Sequence, residues 1–151
     1  MKSTGVFVTE SNMIEGIHHP PSKAECDAHN TFMALDTVTV EDLERFVGTV
    51  QPDAKLRDKR GLDVRVGTHF PEPGGVLVRH ALTRLLCELE DGSPHYVHCQ
   101  YETLHPFTDG NGRSGRVLWA WCMRKRGLNF DQLGFLHTFY YQTLQSFQRE
   151  G

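Results

Sequence analysis

The sequence predicts an all-α fold, a compact helical bundle carrying one small β-hairpin. Three observations lead there: apolar residues recur at helical spacing in segment after segment, several segments open on capping residues, and a single stretch alternates with a period of two. A short first helix is expected over about 9–15, with Gly16 as its C-terminal stop. Pro20 and Pro21 separate it from a second helix, which opens on a capping box of Ser22 and Glu25. Thr39 starts a third, whose Leu43, Phe46, Val47 and Val50 mark one apolar face. In the next stretch Leu62, Val64 and Val66 alternate with Asp63, Arg65 and Gly67, as in a short strand. Pro71, Pro73, Gly74 and Gly75 then imply a turn and an irregular return, so a hairpin is expected over about 62–72. Helical spacing resumes with Val78, Leu82, Leu85, Leu86 and Leu89. Ser93 and Pro94, a cap followed by a first-turn proline, open a helix carrying Val97, Tyr101 and Leu104 on one side. Pro106 disfavours helical geometry at His105, so that helix ends near Leu104. A further helix is expected over about 111–126, closed by Gly127, and a last one over much of 131–149.

No linker or internal repeat divides the 151 residues, which are expected to form one domain, 1–151, with a sizeable core. Charged residues make up 23% and the net charge is −3, so nothing draws the chain as a whole to nucleic acid, and any phosphate chemistry must rest on local basic groups. The four cysteines form no C-x-x-C pair, and three sit in apolar helical patterns, which points to buried thiols in a reducing compartment. The first residues lack the apolar core of a secretory signal, and the longest apolar run, 117–123, is too short to span a bilayer. The expectation is a cytoplasmic protein with neither membrane nor nucleic acid as partner.

Residues 105–116 read HPFTDGNGRSGR and carry the chemistry. Gly110, Asn111, Gly112 and Arg113 sit where a loop enters a helix, so several main-chain N–H groups lack intrahelical acceptors. Glycines let an anion approach that main chain closely, and the helix dipole adds to the attraction. Arg113 and Arg116, three apart, share a helix face and can grip successive phosphates through their guanidinium forks. Asp109 beside bound phosphates would be repulsive without a bridging cation, which implies Mg²⁺, although an Asp at this point also suits a helix cap. His105 has the intrinsic pKa to take a proton from an attacking hydroxyl. Phe107 reads as a core anchor for the loop. A zinc site from His95, His98 and Cys99 lacks a fourth ligand and fits helix spacing poorly.

This run resembles the Fic family signature, H-x-F-x-[DE]-G-N-G-R-x-x-R, at every defined position, and SNMIEG at 11–16 resembles the family's inhibitory motif, [ST]-x-x-x-E-[GN]. The resemblance implies a protein adenylyltransferase that moves AMP from ATP to a hydroxyl side chain of a protein target, itself among the candidates, with release of pyrophosphate. It makes His105 the general base and Asp109 the Mg²⁺ ligand between the α- and β-phosphates. Gly110, Asn111 and Gly112 would form the anion hole, with Asn111 reaching the α-phosphate, while Arg113 and Arg116 take the β- and γ-phosphates. The inhibitory helix, about 9–17, would bring Glu15 onto Arg116 and block the γ-phosphate, Ser11 steadying that helix and Gly16 ending it. Val64, Arg65, Val66, Gly67, Thr68 and His69 would form a flap that aligns the target by strand addition. The pattern of Tyr140, Tyr141 and Leu144 resembles the adenine-side wall, with Tyr141 on the base. Removal of AMP, UMP transfer and a non-catalytic nucleotide-binding regulator are the alternatives. So is Doc-like phosphorylation, for which the signature carries a lysine where Gly112 stands. The state of assembly is left open.

Overall fold

A computed structural model describes residues 2–128 and Phe130; the helix expected over 131–149, with Tyr140, Tyr141 and Leu144, lies outside the described residues. The fold is all-α. Its helices are α1 (Lys2–Ile14), α2 (Lys23–Met33), α3 (Val40–Val50), α4 (Val76–Cys87), α5 (Pro94–Leu104) and α6 (Asn111–Lys125). Helix α6 runs through the middle and packs on α1, α2, α3 and α5, while α4 lies over α3 and α5. Every residue of α6 from Arg113 to Cys122 is buried, so this helix shows no polar outer face until Arg124 and Lys125 at its end.

The capping chemistry explains most boundaries. Thr39 and Asp42 form a complete capping box at α3, and Ser93 accepts the Tyr96 N–H at α5 with Pro94 in the first turn. At α2 the box is half made: Ser22 accepts the Glu25 N–H, but the Glu25 carboxylate accepts from Asn12 Nδ2 instead (2.8 Å). That side chain serves as a tie between α1 and α2 rather than as a local cap. The core is built from the expected stripes, with Leu43, Phe46, Val47 and Val50 meeting Leu82, Val97, Tyr101, Phe107 and the α6 residues. Cys99 and Cys122 are buried, as expected, whereas Cys87 ends α4 exposed.

Two expectations are corrected. Helix α1 begins near Lys2 rather than near residue 9, because Phe7 packs edge-on against His29 of α2 and against Phe130, giving the earlier turns a buried face. The hairpin over 62–72 reduces to a single antiparallel bridge between Val66 and His69, closed by N–H···O bonds of 2.9 Å in both directions. The reason is local. Pro71 and Pro73 have no N–H to donate on the return, and Gly74 turns its amide to Asp63 Oδ1 (2.7 Å), so no ladder extends beyond the turn. Among the described residues no helix is long and apolar enough to cross a membrane.

Candidate active site

The loop from α5 to α6 is held rigidly before any ligand is considered. It lies against residues 55–57: the Thr108 N–H donates to the Lys55 carbonyl (2.9 Å) and the Arg57 N–H to the Pro106 carbonyl (2.8 Å), with Leu56 bridged to Phe107. Phe107 is fully buried, the core anchor its place in the run implied. Asn111 clamps the main chain of Phe107 with both ends of its amide, accepting its N–H (2.9 Å) and donating to its carbonyl (2.7 Å). The side chain of Asn111 therefore braces the loop and does not point out to meet a phosphate; its main-chain N–H is what the helix start offers.

His105 caps α5 with φ 51° and ψ 63°, the left-handed conformation, and among the described residues it alone does so without being glycine. Such a backbone costs on the order of 1 kcal/mol and persists only where its surroundings fix it. Burial lowers the pKa of the half-buried imidazole. The Glu102 carbonyl works the other way, the charges of Arg57 and His69 lower it again, and Asp109 opposes them. The net direction is downward, so the ring is neutral near pH 7, the form that accepts a proton.

Gly110, with φ 76°, turns the chain into α6 and packs against Val47 and Gln51 of α3. The amides of Asn111, Gly112 and Arg113 follow as the first turn, without intrahelical acceptors. Asp109 is exposed and accepts the Gly110 N–H through Oδ1 (2.8 Å). It is not the cap of α6, whose N-cap is Gly110 with no side-chain bond. An exposed carboxylate beside an anion-binding helix start suits Mg²⁺, which takes one or two protein oxygens and completes its shell from phosphate and water. Among the described residues no three His, Cys, Asp or Glu side chains gather into a metal cage. His95 and Cys99 touch (3.7 Å), but His98 turns away to the Gly115 carbonyl (3.2 Å).

Both signature arginines engage protein acceptors. Arg113 donates to the Val50 carbonyl (2.9 Å) and Gln51 Oε1 (2.7 Å), at the negative end of α3. Arg116 is fully buried, with Nε on Ser11 Oγ (2.7 Å) and Nη2 on the Ser11 carbonyl (3.0 Å) and Glu15 Oε1 (2.7 Å). Ser11 thus holds Arg116 directly, whereas the sequence suggested that it steadies its own helix. Gly16 ends α1 in a Schellman motif: its N–H meets the Met13 carbonyl (3.0 Å) and that of Ile17 the Asn12 carbonyl (2.9 Å), with φ 77° at the glycine. That ending sets Glu15 over Gly112, where an added Cβ would collide with Glu15 Oε1. The glycine of the anion turn is also the space in which the glutamate sits.

The residues expected to form the flap, 64–69, lie beside this loop. Gly67, with φ 60°, and Thr68 make the turn between Val66 and His69. His69 Nε2 reaches the Thr103 carbonyl (2.9 Å). Arg65 donates to the Gly67 carbonyl (2.6 Å) and stacks over the exposed ring of Phe70, while Val64 is half-buried.

Residues 77–123, spanning α4, α5 and most of α6 with the loop between them, match the family model described as Fic/DOC family. Over that third of its length the chain is similar to the Fic/DOC family. Domains of this family transfer nucleotide or phosphoryl groups to proteins. No curated protein matches the chain.

The candidate site also includes residues that the sequence did not single out. Glu102, on α5 one turn before His105, places Oε1 against Gly115, buried and without a hydrogen-bond partner among the described residues. Burial raises its pKa to about 8, with Arg116 opposing and Glu15 reinforcing the rise. Three residues of separation from His105 was the available signal, and it is a weak one. Gln51, which meets Arg113, gave no signal at all. Arg57 gave none either, because KLRDKRG at 55–61 reads as a solvated basic loop; it is fully buried.

Proposed function

We propose that this chain is a Fic-type protein adenylyltransferase restrained by its own first helix. ATP lies with its phosphates over the first turn of α6, and a hydroxyl of the target protein attacks the α-phosphorus. The bond to the β-phosphate bridging oxygen breaks, pyrophosphate leaves, and the hydroxyl proton passes to His105. Asp109 holds Mg²⁺, which offsets charge on the phosphates when bound. Arg113 and Arg116 neutralise the outer phosphates once released from their present acceptors. The flap aligns the target main chain beside His105.

The observation that carries this proposal is the seat of Glu15: a carboxylate occupies the guanidinium of Arg116 directly over Gly112, at the helix start a triphosphate would use. An anion already sits where the outer phosphate is needed, which supports both the phosphate site and its restraint.

The test is mass spectrometry of Glu15→Gly protein incubated with ATP and Mg²⁺, alone and with cell lysate. AMP adducts on hydroxyl side chains, absent in Glu15→Gly/His105→Ala, are the expected result. Phosphate adducts, adducts formed with UTP alone, or loss of AMP from a pre-modified protein would replace the proposed reaction by another of the family. No covalent change under any condition, in a folded protein that binds ATP, would leave only a nucleotide-binding regulator.

A further inference from the structure

Arg57 is a buried cation with no carboxylate bonded to it among the described residues. Its side-chain hydrogen bonds all go to main-chain carbonyls, with the charges of Asp63 and Glu72 acting without a bond, and the choice of carbonyls is informative. Nε donates to His105 (2.7 Å) and Nη2 to Leu104 (2.8 Å), the last two residues before the signature turns away from α5. Nη1 donates to Leu62 (3.1 Å) and to Glu72 (2.7 Å), the two ends of the flap. The main chain of Arg57 adds two more ties, its N–H to Pro106 (2.8 Å) and its carbonyl to the Gly75 N–H (3.0 Å).

One planar group thus joins both ends of one segment to both sides of the peptide that sets the histidine. Carbonyls at the end of α5 carry partial negative charge, so the site suits a guanidinium, and only a five-donor fork reaches all four oxygens. The left-handed backbone of His105 is held in part by the bond from Nε to its carbonyl.

We propose that Arg57 is a positioning residue: it fixes the distance and orientation between the flap and His105, so that a target segment paired to the flap presents its hydroxyl to the base. The inference rests on the adenylyltransferase reading of the same site. It adds a residue that touches neither substrate and acts through the main chain. Displacements of about 1 Å between reacting groups cost rate far more than they cost binding, so the signature of such a residue is a loss in kcat with nucleotide affinity kept.

Arg57→Lys and Arg57→Gln, each in the Glu15→Gly background, test this. Arg57→Lys keeps the charge but not the fork, and it should lower kcat about a hundredfold while ATP affinity changes little. Amide exchange at Val66 and His69 should quicken in both variants. The groups facing His105 are Arg57, His69 of the flap, Asp109 and the Glu102 carbonyl. Arg57→Gln removes one positive charge from that set, so the His105 titration, followed by NMR on isotope-labelled histidine, should move to higher pH; Arg57→Lys should leave it nearly in place. Unchanged flap exchange together with an unchanged His105 signal in folded variants would overturn the inference, as would an equal loss of ATP binding and kcat. Should neither variant fold, exchange in the wild-type protein decides. The Arg57, Gly75, Val66 and His69 amides should then open as one unit, and independent opening would overturn it. If the Glu15→Gly protein transfers nothing, the proposed reaction fails while the NMR and exchange measurements still judge Arg57.

Discussion

Arg57 and Arg116 are the two largest fully buried side chains among the described residues, and they are held in opposite ways. Arg57 donates to four main-chain carbonyls where the loop after α5 meets residues 62–72. Those acceptors cannot leave without unfolding the loop. Arg116 donates to the hydroxyl and carbonyl of Ser11 and to the carboxylate of Glu15, all on α1. Those acceptors belong to a separate helix, and the Glu15 side chain is 39% exposed. The same functional group is therefore tied to main chain alone in one place and to a side-chain hydroxyl and carboxylate of another helix in the other. What differs is the chain that supplies the acceptors, not the arginine.

The largest effect expected from this contrast is on stability. Arg57→Met strips four buried carbonyls of their donor and should cost about 3–5 kcal/mol, read as a fall in Tm of about 10 °C or more. A fall no larger than that of a surface substitution would mean water replaces the guanidinium at those carbonyls. Glu15→Gly should do the reverse. It loses one charge-assisted bond from a part-exposed carboxylate, about 1 kcal/mol of stability, while AMP transfer rises about tenfold or more as Arg116 becomes available to a phosphate. Ser11→Ala removes the neutral acceptor on Nε and leaves Glu15 in place, so transfer should rise only a few-fold, below the Glu15→Gly level. A rise equal to that of Glu15→Gly would shift the restraint from the carboxylate to the serine.

The smallest effect is a slope with pH. Glu102 has a folded pKa near 8 against 4.5 for the free group, so the folded chain binds more protons than the unfolded one in that window, and stability falls as pH rises through it. His29 and His98, both buried and lowered to about 4, act in the opposite sense below 6.5, where stability falls as pH falls. Glu102→Gln should flatten the neutral-to-alkaline slope of Tm and steepen the acid slope above about 4.5, where the Glu102 contribution opposes that of the histidines. A slope unaffected by the substitution would mean that Glu102 stays ionised beside Arg116.

Much of the site was legible in the linear chain. The run 105–116 put His105, Asp109, the glycine turn and both arginines within one loop and one helix start, and local rules of capping and turning deliver that geometry wherever the loop is held. The pairing of Glu15 with Arg116 was expected from the family resemblance and is present as an ion pair of 2.7 Å. The misses share a cause. Asn111 was expected at a phosphate and instead braces Phe107, and Glu25 was expected to close a capping box and instead holds Asn12. In each, a polar side chain had a local and a distant use, and spacing alone does not decide between them: Asn111 takes the local one and Glu25 the distant one. The hairpin fell short because three alternating apolar residues suggest a strand without supplying a partner for it.

By itself the amino-acid order determined most of the helices and their ends and the set of candidate phosphate-handling groups, since these follow from interactions within a few residues of one another. Tertiary structure alone decided which of two buried arginines donates only to main-chain carbonyls and which donates to a carboxylate. Arg57 lies 48 positions from His105 and Arg116 lies 101 from Glu15. No local preference acts over such separations, and only the packing of α1, α5 and α6 brings those acceptors to their donors.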